Sequence, residues 1–453
     1  MPAWRRVWLL VVTLLLALSC LATAGPYTDS AHGNTTTGVD RSSIDARYST
    51  FIKGNCSHCH EQHSSLGGSE PLPVGSAHNP ALRFAPEEHL CNICHDGSPV
   101  SKNIASEFNK QYRHPVTDYA DRHTLSLDEK GQNGAPFRGL NRHAECSDCH
   151  EPHTAQGALH IAPGNDVSGM LLGVWGVEPN SDLRWQPALS FREESPATKE
   201  YQLCFKCHSG YALWEVDGIA NFTGPSGVLI TDQAMEFSKA NRSAHPVRIG
   251  MNYQTGSYGT RSLSRDKMKA PWNLTIGEQT MYCSDCHDTD SSTVAGPHAS
   301  ANRFLLQGSW TWPYRPIDGK LWTLNDVRSN INSWNSRLLC AKCHSLNFND
   351  MSDEHPHLKT GHTSNYGAEP YTTYDSSFSC VACHIPIPHG SAVSRLIGYD
   401  TLPEPYKITV STGATFPVLR QFKKEQVYSK RSCFVPNTAA CHSAHTIKVD
   451  GAD

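Results

Sequence analysis

Apolar residues form one long run at the N-terminus of this chain and are scattered after it. Arg5 and Arg6 precede an apolar stretch that reaches about Leu18, and the Ala-Thr-Ala sequence of residues 22–24 forms an A-x-A cleavage site. This pattern predicts a secretory signal peptide over residues 1–24. No later stretch has the roughly 18 uninterrupted apolar residues that a membrane span needs, so we expect an exported, soluble mature chain.

The pattern after residue 24 does not predict conventional hydrophobic cores. Only 38% of the 453 residues are hydrophobic, and 33 glycines and 28 prolines interrupt the chain, whereas a chain of this length usually forms about three domains. We therefore predict a mostly irregular fold with short α-helices and little β-structure, whose interior is filled by something other than side chains. The net charge of −4, with both signs interspersed, gives no reason to expect nucleic acid as a partner.

The cysteines recur in one short pattern. The chain has 17 of them, and Cys20 lies in the signal peptide, where a lipid anchor on it is a competing interpretation. Seven pairs among the others have the form Cys-x-x-Cys-His, against about 0.03 expected from composition alone. These pairs are Cys56/Cys59, Cys91/Cys94, Cys146/Cys149, Cys204/Cys207, Cys283/Cys286, Cys340/Cys343 and Cys380/Cys383.

The spacing of this motif is typical of covalent haem attachment. Two cysteines form thioether bonds to the vinyl groups of haem c, and the histidine that follows at once binds the iron. Zinc held by C-x-x-C knuckles and a set of disulfides are the alternatives, but neither requires a histidine directly after every second cysteine. The predicted proximal ligands are His60, His95, His150, His208, His287, His344 and His384.

The stretch RSCFVPNTAACHSAH, residues 431–445, decides whether there are seven haems or eight. Its Cys433 and Cys441 are separated by seven residues, but His442 follows Cys441 as in the other motifs. The other motifs occur in successive pairs, and the seventh motif, at Cys380, has no C-x-x-C-H partner downstream. This stretch is the only candidate for that partner, so we predict eight haems with His442 as the last proximal ligand. A Cys433–Cys441 disulfide is the alternative and would leave seven haems.

The motifs alternate between two kinds, which we call odd and even by their order in the chain. The three even motifs of the C-x-x-C-H form follow a leucine, as in HLCNICH and QLCFKCH, whereas a second histidine follows each odd motif downstream, as in CSDCHEPH. Internal repetition of this kind predicts repeated structural units. We expect four haem pairs, in residues 25–105, 106–232, 233–350 and 351–453.

The sixth ligand of each iron determines whether a haem can bind a substrate. Methionine is scarce, with 7 in the chain, whereas 25 histidines leave 17 beyond the eight proximal ones, so we predict bis-histidine ligation. The distal candidates after odd motifs are His63, His153, His298 and His389, where His298 is assigned by aligning PHASANRFLL with PHGSAVSRLI. The candidates before prolines are His114, His245 and His355. The eighth distal ligand stays open among His32, His78, His362 and His445.

These motifs resemble those of the doubled-C-x-x-C-H multihaem c-type cytochromes, found in bacteria that pass electrons to metals and other acceptors outside the cell. The likeness is carried by the odd–even pairs, by HPV at His114 and His245, by CHEPH at residues 149–153 and by CSHCHEQHSSLGG at residues 56–68. It covers most of the mature chain. The resemblance implies a location in the periplasm or on the outer surface of a Gram-negative-type cell, with other cytochromes as redox partners.

Eight haems in a chain of 453 residues leave too few residues per haem for separate cores. We therefore expect the fold to be organised around a chain of stacked haems, which makes electron transfer the predicted function and leaves no catalytic residue to name. A variant is a filament in which one copy lends a histidine to the iron of its neighbour. The alternative from another class is a multihaem reductase of nitrite, hydroxylamine or a sulfur oxyanion with one open-site haem.

Overall fold

The computed structural model describes residues 27–60, 82–84, 87–98, 100, 102–117, 143–213, 222–223, 229–251, 263–307, 321, 339–345, 381, 384–409, 415–417 and 419. The predicted signal peptide lies outside these residues. In the part that the structure describes, long irregular segments separate short helices and short β-ladders, as the sequence predicted. None of the described helices is long and apolar enough to cross a membrane.

A short helix contains the first cysteine of each of the first six attachment motifs. The described α-helices are α1 (Glu87–His95), α2 (Cys146–Cys149), α3 (Glu200–His208), α4 (Gly210–Leu213) and α5 (Gln233–Glu236). The described 3₁₀-helices are Tyr27–Asp29, Ala46–Tyr48, Cys56–His58, Glu107–Asn109, Gly169–Leu171, Arg265–Lys267, Cys283–Asp285, Arg303–Leu305, Leu339–Lys342 and Ser394–Leu396. One helical turn is enough for C-x-x-C, because residues three apart are neighbours on a helix surface.

The described strands form two-stranded antiparallel ladders. The pairs are β1 (Tyr112–Arg113) with β7 (Ala299–Ser300), β2 (Gly176–Pro179) with β3 (Phe191–Glu194), β4 (Phe222–Thr223) with β5 (Leu229–Ile230), β6 (Ser243–Ala244) with β8 (Gly390–Ser391), and β9 (Ile408–Thr409) with β10 (Thr415–Phe416). Three of these ladders join neighbouring segments. The β1–β7 and β6–β8 ladders instead join segments that are far apart in the chain, and these two carry the candidate ligands.

A hydrophobic cluster among the described residues surrounds α3, the helix of the fourth motif. Phe205 is fully buried there, between Val177 of β2 and Phe237 after α5. Burial of a phenylalanine side chain contributes about 1.5–3 kcal/mol. The buried guanidinium of Arg248 binds Glu178 at 2.8 Å and Asp182, so the same region also contains an ion-paired charge.

Candidate axial-ligand sites

Six pairs of imidazole rings face each other among the described residues. In each pair, one ring belongs to the histidine of an attachment motif and the other to a histidine outside the motifs. The ring centroids are 5.9 Å apart for His60 and His153, 6.2 Å for His95 and His32, 6.1 Å for His150 and His298, 6.1 Å for His208 and His114, 5.8 Å for His287 and His389, and 6.2 Å for His344 and His245.

This separation fits two imidazoles that bind one metal ion between them. A metal–nitrogen bond of about 2 Å on each side, and about 1 Å from each nitrogen to the centre of its ring, place the centroids about 6 Å apart. Direct packing of two rings does not require that all six centroid distances fall between 5.8 and 6.2 Å. The spacing is therefore compatible with two imidazoles that bind one iron from opposite sides.

Backbone carbonyls accept hydrogen bonds from the Nδ1 atoms of many of the predicted ligand histidines. The Nδ1 atoms lie 3.2 Å from Pro152 O for His32, 2.5 Å from Pro297 O for His114, 3.0 Å from Met170 O for His150, 2.7 Å from Phe304 O for His287 and 2.9 Å from Arg395 O for His384, and His245 makes the same contact with Pro388 O. Because a carbonyl only accepts, Nδ1 carries the proton and Nε2 keeps its lone pair. Metal-binding histidines are commonly oriented in this way.

Burial keeps several of these rings neutral. It lowers the pKa of His287 and of His344 to about 4 and the pKa of His298 to about 3, with neighbouring histidines as the next cause in each case. Burial is also the main reason that the pKa is lowered for His95, His114, His150 and His245. The neutral imidazole is the form that binds a metal.

The distal histidines lie in neighbouring couples, which we call distal junctions. His114 directly follows β1 and His298 directly precedes β7, and the backbone N–H of His114 donates to the carbonyl of His298 at 3.0 Å. His245 and His389 repeat this arrangement across β6 and β8, with an N–H to O distance of 2.9 Å. One two-residue ladder thus positions two candidate ligands at once.

The third distal junction has the same contacts without a named ladder. The backbone N–H of Ala31 donates to the carbonyl of Ala155 at 2.8 Å, and His32 donates to Pro152, the residue before His153. In all three junctions, the upstream histidine therefore binds the carbonyl of a proline that precedes the downstream histidine. The junctions are His32/His153, His114/His298 and His245/His389.

The two histidines of each distal junction face the motif histidines of one predicted haem pair, one from the odd motif and one from the even motif. The downstream histidine of a junction faces the odd motif of that pair, although it follows the next odd motif in the sequence. For example, His153 follows the third motif but faces His60 of the first. The distal histidine for an even motif comes instead from upstream, as His114 does for His208.

Cysteines of successive motifs lie next to one another. The thiols of Cys91 and Cys146 are in hydrogen-bonding contact, as are those of Cys204 and Cys283, and this contact together with burial raises the pKa of Cys146 and of Cys283 well above the usual value. These contacts join the second motif to the third, and the fourth to the fifth.

Electrostatic effects between thiols show that the remaining successive motifs also lie near each other: the first and second, the third and fourth, and the fifth and sixth. Burial raises the pKa of Cys59 to about 11, with Cys91 of the second motif as the next cause. Burial likewise raises the pKa of Cys149 and of Cys286 to about 12, with smaller contributions from the cysteines of the fourth and sixth motifs. Each of the first six motifs therefore lies near the one that follows it in the sequence, and we call this succession the line of motifs.

Cys207, the second cysteine of the fourth motif, differs from Cys204 in the contacts that the structure shows. Cys204 is in hydrogen-bonding contact with Cys283, whereas Cys207 lies half-buried near the end of α3 and helps to raise the pKa of Cys149 in the third motif. Cys207 also adds a small contribution to the pKa of Tyr211, which burial raises to about 12.

The aspartate shared by the two CSDCH motifs caps its own helical turn. The carboxylate of Asp148 accepts from the backbone N–H of Glu145 at 2.7 Å, and that of Asp285 accepts from Tyr282 N–H at 2.9 Å. A side chain that binds the first backbone N–H groups stabilises a helix start. This explains the third position of the motif.

The serine of each CSDCH motif binds the preceding even motif. The backbone N–H and hydroxyl of Ser147 donate to Glu87 at the start of α1, at 2.8 and 3.0 Å. Ser284 makes the same pair of contacts with Glu200 at the start of α3, both at 2.9 Å. The identical second position of the two motifs thus reflects one repeated contact.

A lysine links each CSDCH motif to the even motif that follows. Lys206 Nζ donates to the backbone carbonyl of Asp148 at 2.6 Å, and Lys342 Nζ donates to that of Asp285 at 3.1 Å. Lys206 is buried, whereas Lys342 is exposed. These links were not predicted from the sequence, although CSDCH occurs twice and lysine occupies the same position of both even motifs.

The predicted alignment around His298 and His389 is reproduced in the local backbone. Phe304 and Arg395 have positive φ angles of 64° and 60°, which non-glycine residues rarely adopt. Their carbonyls accept from the proximal histidines His287 and His384 of the preceding odd motifs. The two segments therefore have one conformation, and it holds a proximal ligand.

Five of the predicted distal ligands lie opposite motif histidines in the structure. A sixth facing histidine is one of the four choices that the sequence left open. His32, one of four choices, faces His95 of the second motif. Several predicted residues lie outside the described part of the chain: His63, His355, His442, Cys380, Cys383, Cys433 and Cys441. The remaining choices for the eighth distal ligand, His78, His362 and His445, also lie there.

Sequence reasoning missed two carboxylates that bind distal histidines. Glu151 accepts from His153 Nδ1 at 2.7 Å, and Glu236 accepts from His389 Nδ1 at 2.5 Å. Glu151 stands two residues before its histidine in CHEPH, so the sequence contained a signal for it. Glu236 is 153 residues from His389, and only the fold brings them together.

The donor set at these sites fits haem c. Each pair offers two facing imidazoles beside two cysteines. The cysteines of the first six motifs are thiols rather than disulfides: Cys56, Cys59, Cys91, Cys94, Cys146, Cys149, Cys204, Cys207, Cys283, Cys286, Cys340 and Cys343. Among the described residues, no group of three or more His, Cys, Asp or Glu is arranged to hold a metal ion. Comparison with protein-family models, with curated proteins and with solved structures found no match for this chain.

Proposed function

We propose that this chain is a multihaem c-type cytochrome, with eight haems, that transfers electrons between redox partners in the periplasm or on the outer cell surface. The observation that carries the proposal is the set of six facing histidine pairs, each of which joins a C-x-x-C-H motif to a histidine outside the motifs. Two histidines per iron leave no ligand position for a substrate, which favours a carrier over an enzyme.

The residues of the chain would each hold a part of the cofactor. The two cysteines of a motif would attach the macrocycle, the motif histidine would bind its iron, and a distal junction would supply the second imidazole. When bound, haem iron supplies a reversible one-electron couple. Backbone carbonyls fix the tautomer of the ligands before binding, so that little reorganisation accompanies a change of charge at the site.

The order of the motifs supports a single path for electrons. From the second motif to the sixth, successive motifs are in contact through cysteine thiols or through lysine–carbonyl hydrogen bonds, and the first motif lies near the second, since Cys91 contributes to the pKa of Cys59. Each step therefore joins neighbours in the sequence. A carrier of this design would accept an electron at one end of the chain and release it near the other.

The test of the proposal is a haem count combined with electron paramagnetic resonance. The intact mass of the purified mature protein is expected to exceed that of the polypeptide by eight haems, or by seven if Cys433 and Cys441 form a disulfide. The oxidised protein is expected to give low-spin ferric signals only. A colourless protein would end the proposal, and a high-spin signal that shifts on addition of nitrite would favour the reductase instead.

The order of the distal ligands also favours a filament as a second candidate. The downstream histidine of each distal junction follows one odd motif in the sequence but faces the histidine of the preceding odd motif. By this rule His63, which lies outside the described residues, would serve an odd motif that precedes Cys56. In a head-to-tail assembly of copies, that motif would be the one that contains His384 of the partner subunit.

Electron microscopy of the wild type and of His63→Ala tests the filament. We expect filaments from the wild-type protein and separate subunits from the variant, with the number of covalent haems unchanged. His58→Ala, in the same motif, is the matched control, because His58 is buried against Ile52 O, to which its Nε2 lies at 3.0 Å, and not in a distal junction. Filaments that persist in His63→Ala would contradict this assignment.

A further inference from the structure

Two distal histidines, His153 and His389, bind a carboxylate through Nδ1, and only the carboxylate that binds His389 is fully buried. Six candidate ligands bind backbone carbonyls through Nδ1, whereas His389 binds the carboxylate of Glu236, at the end of α5, at 2.5 Å. The second carboxylate oxygen of Glu236 accepts from the hydroxyl of Tyr406 at 2.6 Å. The Glu236 side chain is fully buried, with 0% exposed. A carboxylate in such a place needs a reason, because burial of a charge is costly.

The fold holds this carboxylate in position. Asp232 caps α5 by accepting from the backbone N–H of Met235 at 3.2 Å, and Asn241 donates its side-chain amide to the carbonyl of Glu236 at 2.8 Å. On one side of the carboxylate, Met235 and Ile385 pack with Tyr406 into one buried cluster. The carboxylate is therefore fixed in orientation and shielded from water.

A carboxylate that accepts from an axial imidazole changes the iron that the imidazole binds. Such a partner raises the basicity of the ligand, and therefore favours the more positively charged state of the metal. The negative charge acts in the same direction, and it is felt strongly where water is excluded. Both effects stabilise ferric over ferrous iron.

On the basis of the proposed function, we propose that Glu236 lowers the reduction potential of the haem held by His287 and His389 below the potentials of the other haems. Glu236 is a positioning and tuning residue rather than a ligand. This haem is the fifth of the line, so the path would contain a low-potential step between the fourth and the sixth.

The chain contains a natural comparison for this effect. Glu151 binds the distal histidine His153 through the same Nδ1 contact at 2.7 Å, but both side chains are open to water, with 38% and 56% exposed. The corresponding values are 0% for Glu236 and 19% for His389. Water and salt screen a charge at the surface, so Glu151 is expected to act in the same direction with a smaller effect.

The experiment is a potentiometric titration of the haem-loaded protein, followed by absorbance and electron paramagnetic resonance, for the wild type, Glu236→Gln and Glu151→Gln. The glutamine keeps an acceptor for His389 and removes the charge. We expect one low-potential component of Glu236→Gln to change its ferrous-to-ferric ratio tenfold or more at fixed potential, an upward shift of about 59 mV per tenfold for a one-electron couple. The shift in Glu151→Gln is expected to be smaller. A downward shift, no shift, or equal shifts in the two variants would overturn the proposal.

Tyr406→Phe provides a second test that does not depend on the stability of Glu236→Gln. Loss of the tyrosine hydroxyl leaves the carboxylate with one donor fewer, so that it binds His389 more strongly and lowers the potential of the same component. An unchanged or raised potential would contradict the role of Glu236. The haem count and the low-spin spectrum, measured on the same samples, separate failure of this inference from failure of the proposed function.

Discussion

Odd and even motifs share one pentapeptide but obtain their facing histidines from opposite directions along the chain. The rings that face the odd histidines His60, His150 and His287 come from downstream, and the interplanar angles are 12°, 21° and 61°. The rings that face the even histidines come from upstream, with angles of 87°, 83° and 67° for His95, His208 and His344. The proximal half of each site is thus local, whereas the distal half depends on the fold.

The facing histidines cross the boundaries between the predicted haem pairs. A distal junction takes one histidine from each of two distant segments, and the odd-motif ligand comes from the segment that holds the next pair. His298, for example, belongs by sequence to residues 233–350 but faces His150 in residues 106–232. Each predicted pair is therefore completed by the one that follows it.

The largest expected effect comes from removing one distal histidine. His298→Ala is expected to convert one low-spin haem to a high-spin one, because the ring that faces His150 is lost. Electron paramagnetic resonance of the oxidised protein measures the change. His160→Ala is the matched control, since His160 stacks on Tyr282 at 4.0 Å instead of facing a motif histidine, and it should leave all haems low-spin.

The affected haem can be identified with double variants. The high-spin signal of His298→Ala should disappear when Cys146 and Cys149 are also replaced by alanine, because the haem of the third motif is then absent. It should persist when Cys283 and Cys286 are replaced instead. The opposite result would show that His298 serves its own motif and would break the rule that distinguishes odd from even sites.

The next effect concerns the lysines that link even motifs to odd ones. Lys206→Met is expected to lower the free energy of unfolding by about 1.5–3 kcal/mol, because a buried charged donor to Asp148 O is lost. Lys342→Met, at the equivalent exposed position, should cost less than about 1 kcal/mol. Denaturant unfolding of the haem-loaded proteins measures both values. Equal losses in the two variants would argue against burial as the cause of the difference.

The smallest effect is expected for the serines that join odd motifs to the preceding even ones. Ser284→Ala should cost about 1–2 kcal/mol of unfolding free energy, because the buried carboxylate of Glu200 loses a hydroxyl donor. Ser147→Ala, where the contact with Glu87 is exposed, should stay within about 0.5 kcal/mol of the wild type. The same unfolding measurements apply, and a larger loss for Ser147→Ala would contradict the comparison.

Parts of this site were readable from the sequence because they are local. The C-x-x-C-H spacing predicted a helical turn at each motif, and a helix is found at each of the first six. The recurrence of histidine beside proline marked His114, His245, His298 and His389 as candidates. The sequence also offered two groups of candidates, histidines after odd motifs and histidines before prolines.

Other parts were beyond sequence reasoning because they depend on contacts between remote segments. His32 could not be separated from three other histidines, since it lacks the His-Pro signal and is recognised only by its place opposite His95. The two-residue strands β1 and β7 are too short to show an alternating pattern. Glu236 gave no signal at all, because its partner lies 153 residues away.

The sequence by itself determined the attachment motifs, their number in the line and the supply of histidines, because these depend on residue spacing within a single turn of the chain. Only the tertiary structure decided which histidine faces which motif and what holds its other nitrogen. Imidazole pairing requires two rings at about 6 Å, and short ladders such as β1–β7 and β6–β8 achieve this between segments whose distance in the sequence carries no information about their distance in space.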